Sequence, residues 1–180
     1  ADIQLCTFED YQHKKNKLFD ICLFSESFQY IPIDLALKKS KGLLNDTGRI
    51  IISDCFRSNI ESTSQYRAPG GGHSLKEMYK KINLNKLKII KKEDITSSVS
   101  ASIDLEQKFY NTLGMVIKRI AQSYYNRNKI TFKIAKVIYK MLLNNKKRTR
   151  LNDRLFNKSR TSEIFELHNN YMIFLLKPYS

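Results

Sequence analysis

"FDICLFSESFQYI" (residues 19–31) and "GLLNDTGRIIISDCFR" (residues 42–57) decide the fold. Residues 19–24 form a nearly continuous apolar run, as expected of a strand covered on both faces. Pro32 then suits a helix entrance, and Leu35, Ala36, Leu37, Leu43 and Leu44 recur at helical spacing with lysines between them. The pattern stops at Asn45, Asp46, Thr47 and Gly48, all turn formers, and "RIIISDCF" (residues 49–56) reads as a second buried strand. A strand, a helix and a strand make a βαβ unit, with parallel strands and a right-handed connection.

Upstream, "IQLCTF" (residues 3–8) alternates loosely and runs into Glu9-Asp10, a short strand ending in an acidic turn. Downstream, residues 57–72 form an irregular loop that holds the glycine cluster Gly70-Gly71-Gly72. Ser74 followed by Glu77 is a capping box, so a helix starts there. "LKIIKKEDI" (residues 87–95) is a further strand, and "YMIFLLKP" (residues 171–178) closes the chain as another. Between them, Leu105, Phe109, Leu113, Val116, Ile117, Ile120 and Tyr124 fall on one helical stripe, read as core packing rather than a lipid-binding face. Residues 130–143 give a second such helix, and "NNKKRTRLNDR" (residues 144–154) reads as a solvated basic connector.

At 180 residues and 42% hydrophobic, the chain can bury one real core. Cys6, Cys22 and Cys55 are odd in number and widely spaced, which suits reduced, buried thiols of a cytoplasmic protein rather than a disulfide framework. Metal-ligand spacing is missing, and no apolar run approaches the ~20 residues of a membrane span. Of 32 basic and 17 acidic residues, 8 of each lie in residues 1–60, so the whole excess of +15 lies beyond. That excess fits either an anionic partner or a plain bias toward lysine codons, since 23 of the 32 are Lys.

Glu9-Asp10, Ser25-Glu26-Ser27, Ser53-Asp54 and Glu93-Asp94 all stand where strands end. In an open parallel sheet, ligands bind outside the carboxyl ends of the strands. One polar ending alone is a turn or a helix cap. Four at one edge make a crevice able to hydrogen-bond amines, hydroxyls and ribose.

On these residues the sequence resembles the class I S-adenosylmethionine-dependent methyltransferases of small-molecule type. The matching segments are Phe19-Asp20 with Ser25-Glu26-Ser27-Phe28-Gln29-Tyr30-Ile31, and Leu43-Leu44 with Gly48-Arg49-Ile50 and Ile52-Ser53-Asp54. "EDIT" (residues 93–96) and the closing strand fit the sixth and seventh strands of that family. The resemblance implies an α/β, Rossmann-like sheet in which strands three to seven are present and strands one and two are missing. It implies residues 1–96 as the C-terminal part of the core, residues 97–160 as a helical cap inserted before the last strand, and residues 161–180 as that strand. The glycine-rich cofactor turn and the ribose-binding acid of the family have no counterpart here, so the sequence reads as part of a longer enzyme.

By the same resemblance S-adenosylmethionine is the cofactor. Glu9 and Asp10 correspond to the adenine side, Phe24 and Ser25 to the cofactor's methionine part, and Glu26 to the cofactor side of the mouth that residues 26–30 line. Phe28, Tyr30, Asp54 and Arg57 fall on the substrate side. Methyl transfer needs alignment and exclusion of water above all, and a base only if the acceptor must lose a proton. His73, directly after the glycines, is the candidate base; its other reading is a surface loop histidine. Glu26 either orients an acceptor or binds cofactor, while Phe28 and Tyr30 either wall a methyl pocket or pack in the core. No role is expected of His13 or His168.

The expected activity is methyl transfer to an O, N or C atom of a small molecule, anionic or lipid-like given the basic cap. Two other readings stand beside it. One is an RNA methyltransferase, for which Tyr124-Tyr125-Asn126-Arg127 offers the stacking residues. The other is a non-catalytic basic binding module.

Overall fold

The computed structural model describes residues 3–12, 18–58, 70–157 and 160–179. His13, Lys158 and most of the loop before the glycines lie outside them. By internal contacts the chain divides into two compact units, Ala1–Val99 with Phe165–Ser180, and Ser100–Ile164.

The first unit is built on four strands, β1 (Phe19–Ser25), β2 (Leu44–Arg57), β3 (Leu87–Asp94) and β4 (Asn169–Pro178), in the order β1-β2-β4-β3. β1 runs parallel to β2, and β4 runs antiparallel to both β2 and β3. The carboxyl ends of β1, β2 and β3 therefore share one edge. The register sets Ser25 opposite Ser53, Ser53 opposite Ile173, and Ile173 opposite Glu93. Three of the four polar endings thus line up. Glu9-Asp10 does not join them: residues 3–8 form no strand, and the chain turns at residues 8–10 with the Asp10 and Tyr11 amides donating to Thr7 O. Too few alternating positions precede that turn to sustain a ladder.

The helices α1 (Ile33–Leu43) and α2 (Leu75–Leu84) form where expected. Pro32 is the N-cap of α1, and the Ser74 hydroxyl accepts from the Glu77 amide at the start of α2. Both cover one face of the sheet. Ala36 and Leu37 of α1, Met78 and Ile82 of α2, and Ile50, Ile52, Phe56, Phe174 and Leu176 of the strands are buried together. Each of these side chains other than Ala36 contributes about 1.5–3 kcal/mol by leaving water. A run of edge-on rings threads this core, Phe8 to Phe24 at 5.2 Å, Phe24 to Phe28 at 5.3 Å and Phe56 to Phe174 at 5.7 Å.

β1 departs from the expectation of a strand covered on both faces. It lies at one end of the strand order, Phe24 is buried, and Phe19, Ile21 and Leu23 are exposed. β2 buries alternate residues, so its apolar run serves one face fully and the other partly. Cys6 is exposed, against the expected buried thiol, while burial pushes the half-buried Cys22 and Cys55 thiols up from their ordinary value.

The second unit is helical. α3 (Thr96–Arg127) runs into it, followed by α4 (Lys129–Leu142) and α5 (Asn145–Phe156); α6 (Ser162–His168) leads back to β4. The expected basic connector is α5, capped by the Asn144 side chain, which accepts from the Lys147 amide at 2.9 Å. α5 packs on α3 where Gly114 stands; a Cβ there would meet Leu155 O at 2.7 Å. Arg154 pairs with Glu106 and lies over the Tyr110 ring at 4.4 Å, so part of the basic run holds helices together. The α3 stripe from Leu105 to Tyr124 is exposed, correcting the core reading; Gln107 and Gly114 are the buried positions on the face toward α5.

Candidate active site

Where β1 ends, Glu26 takes a left-handed conformation (φ 49°) and its amide donates to Ser53 O at 2.9 Å. A non-glycine residue held there stores backbone strain, which structures keep mostly at functional turns. The chain then crosses the end of β2 as a single 3-10 turn, Phe28–Tyr30. Asp54 fastens that crossing. It is 1% exposed, one oxygen accepts from the Gln29 amide at 3.0 Å, and the other accepts from the Cys55 amide at 2.7 Å. A buried carboxylate persists only when donors replace its water, and here two loop amides do so.

The glycine loop closes over the same strand end. Gly72 has φ +89° and a Cβ on it would lie 2.0 Å from Cys55 O, so only glycine fits. The Gly71 amide donates to the Cys55 sulfur, Arg57 Nε donates to Gly72 O at 2.8 Å, and the Arg57 amide donates to His73 O at 2.8 Å. His73 Nε2 lies 2.8 Å from Ile31 O and 3.3 Å from Phe28 O. Both partners are carbonyl oxygens, so Nε2 carries a proton and donates, which leaves Nδ1 as the ring's available basic position.

A hydroxyl chain completes the edge. The Tyr171 hydroxyl donates to Glu26 Oε1 at 2.8 Å and accepts from Ser53. Burial and then the Glu26 hydrogen bond push the Tyr171 phenol up to about 12, so it is a donor at neutral pH. Among the described residues, no partner is seen for the second Glu26 oxygen, and Glu26 and Ser25 are exposed. The edge therefore presents an oriented carboxylate and a hydroxyl, suited to an amine, a hydroxyl or a cationic centre.

The expected site residues separate into two layers. Ser25, Glu26, Tyr30 and Arg57 are exposed at or beside this edge, with His73 half-buried next to them. Phe24 and Phe28 are core, 4% and 0% exposed, so Phe28 walls no open pocket; Asp54 lies just beneath the surface as a loop fastener. Glu9 and Asp10 sit on a turn that Phe8 docks against Phe24. Lys39 Nζ donates to Glu9 O and the Thr7 hydroxyl donates to Asp10; neither carboxylate bonds to Ser25 or Glu26 among the described residues. The sequence reading passed over Tyr171 as a site residue. Tyr171 looked like the first residue of an apolar strand, and only its register opposite Cys55 carries it to Glu26.

The architecture has known counterparts. An N-methyltransferase of Haemonchus contortus, determined with phosphomonomethylethanolamine and S-adenosylhomocysteine, is 16% identical and superposes on 89% of this chain and 34% of its own, with a TM-score of 0.51. The fold is a methyltransferase fold. Weaker likenesses are to the [4+2]-cyclase SpnF (12% identity, 97% of this chain, 55% of that one, TM-score 0.49) and to an O-methyltransferase from a Brevibacillus brevis polyketide multienzyme with S-adenosylhomocysteine (10% identity, 93% and 46%, TM-score 0.49). The chain spans about half, or less, of the length of these methyltransferase-fold structures. No protein-family model matches the sequence, and no curated protein does.

Proposed function

We propose that this chain is part of an S-adenosylmethionine-dependent methyltransferase acting on a small molecule at an O, N or C atom. The observation that carries the reading is the strained, exposed Glu26 at the carboxyl end of β1, its carboxylate aimed by Tyr171 and Ser53. The residues present fit the positively charged part of such a cofactor: a carboxylate acceptor and the Ser25 hydroxyl, and no cation in the Glu26–Tyr171–Ser53 chain. When bound, that cofactor supplies an electrophilic methyl group on a sulfonium.

In this reading Ser25 and Glu26 bind the cofactor, and the 3-10 turn carries Tyr30 to the substrate side. Asp54 and Phe28 act from beneath by fixing that turn, Phe24 by supporting the strand end. Arg57 orients an anionic acceptor. His73 serves as base through Nδ1, its ring held by two carbonyls. Glu9 and Asp10 enter only through the turn docked on Phe24. The helices of residues 97–160 form the cap that selects the substrate, and the protein is cytoplasmic. A small acceptor is favoured over RNA because Tyr124 and Tyr125 already pack on Phe132, at 6.4 and 5.3 Å between ring centres.

The test is an NMR titration of the chain with S-adenosylhomocysteine. Saturable shifts at Glu26, Ser53 and Tyr171, weakened about tenfold or more in Glu26→Gln, support the reading; that factor follows from losing one charge-assisted hydrogen bond. No shift at those residues up to the solubility of the ligand refutes it.

A further inference from the structure

The second unit carries a feature the methyl-transfer reading does not use. None of the residues of α4 is buried. Lys129, Lys133, Lys136 and Lys140 recur at steps of four, three and four, which places them within about 60° of one another around the helix axis. Ile130, Ile134, Val137, Ile138 and Met141 fall on the flank about 80° to 180° away. They are open to solvent, Ile130 at 74%, Ile134 at 55% and Met141 at 79%. The surrounding sequence is charged in one sense: residues 107–152 hold 12 Lys or Arg and no Asp or Glu.

We infer that α4 is a docking surface for an anionic lipid membrane, lying in the interface with its isoleucines down and its lysines level with the headgroups. A narrow lysine stripe opposite a wide apolar arc, with no acid to repel phosphate, is the composition of helices that bind in this way. Charge decides against the other occupants. A second copy would bring two acid-free basic surfaces together, and a nucleic acid would satisfy the lysines while leaving the isoleucines wet. Among the described residues no helix is long and apolar enough to cross a membrane, so the contact is peripheral. The inference does not depend on the chemistry proposed above.

The test is sedimentation of the full chain with vesicles of phosphatidylcholine, with and without phosphatidylglycerol, over a range of salt. Binding to the anionic vesicles alone, falling as salt rises, is expected. Lys129→Gln, Lys133→Gln, Lys136→Gln and Lys140→Gln together weaken it on the order of a thousandfold. Ile134→Ser with Ile138→Ser also weakens it, with an unchanged circular dichroism spectrum in both variants because α4 buries nothing. Equal partition to neutral vesicles, no partition, or lysine variants that bind as well as the parent overturns the inference. So does a self-association, or binding of a single-stranded RNA oligomer, that persists without any vesicle binding.

Discussion

Gly72→Ala tests whether the glycine loop is the clasp of the site. The new Cβ would start 2.0 Å from Cys55 O, against backbone that cannot turn aside, so the loop must move by roughly an ångström to reach ordinary contact. An L-residue at φ +89° costs about 1–2 kcal/mol. The displacement also weakens the bonds from Arg57 Nε to Gly72 O and from the Arg57 amide to His73 O, about 1 kcal/mol each. A total near 3 kcal/mol lowers the melting temperature by about 6–12 °C for a chain of this size. Gly71→Ala is the internal control, because its Cβ meets only Gln29 Oε1, at 3.7 Å, and its effect stays within about 0.5 kcal/mol. Melts followed by circular dichroism compare the two. If Gly72→Ala melts with Gly71→Ala, the loop is not held against β2 as described.

Two further outcomes follow from the same contacts. Tyr171, pushed up to about 12, titrates above the ordinary tyrosine value near 10. The stability this gives is full below about pH 10 and is lost as pH rises through about 12; Glu26→Gln should lower the midpoint without restoring 10, since burial remains, as tyrosine ring-carbon NMR will read. Gly114→Ala in the second unit forces α3 and α5 apart against Leu155 O at 2.7 Å, with an expected loss of about 1–3 kcal/mol in urea unfolding. A stabilised Gly114→Ala, as helix propensity alone predicts, would show that the two helices do not meet there.

The βαβ start was legible because its signals are local and strong: an apolar run, lysines spaced through a helix, then a second run; the turn expected at residues 45–48 is instead the start of β2, which leaves α1 directly at Leu44. The Ser74 cap was equally local. The polar strand endings were read correctly as a shared edge for β1, β2 and β3, but their division into exposed Glu26 and buried Asp54 depends on which face each side chain takes. That is a matter of register. Asp54 falls on the same face as Ile50 and Ile52, while Glu26 follows the strand on a left-handed turn. α5 was missed because its apolar residues are sparse; Asn144 as an N-cap was the available sign. The α3 stripe misled because periodicity shows that a face is apolar and says nothing of what meets it.

The place of β4 has a consequence for how the molecule comes together. Residues 169–178 form the strand between β2 and β3, so the sheet has a gap in its middle until they arrive. During synthesis β1 and β2 can pair early, whereas β3 has no neighbour for the time it takes to make the helices that follow. Losing only the final ten residues would not shorten an edge. It would leave two unconnected pieces of sheet, and the aromatic run from Phe56 to Phe174 would end in water. Folding of the first unit is thus gated by the arrival of β4, while the second, contiguous in sequence and made before it, can form beforehand.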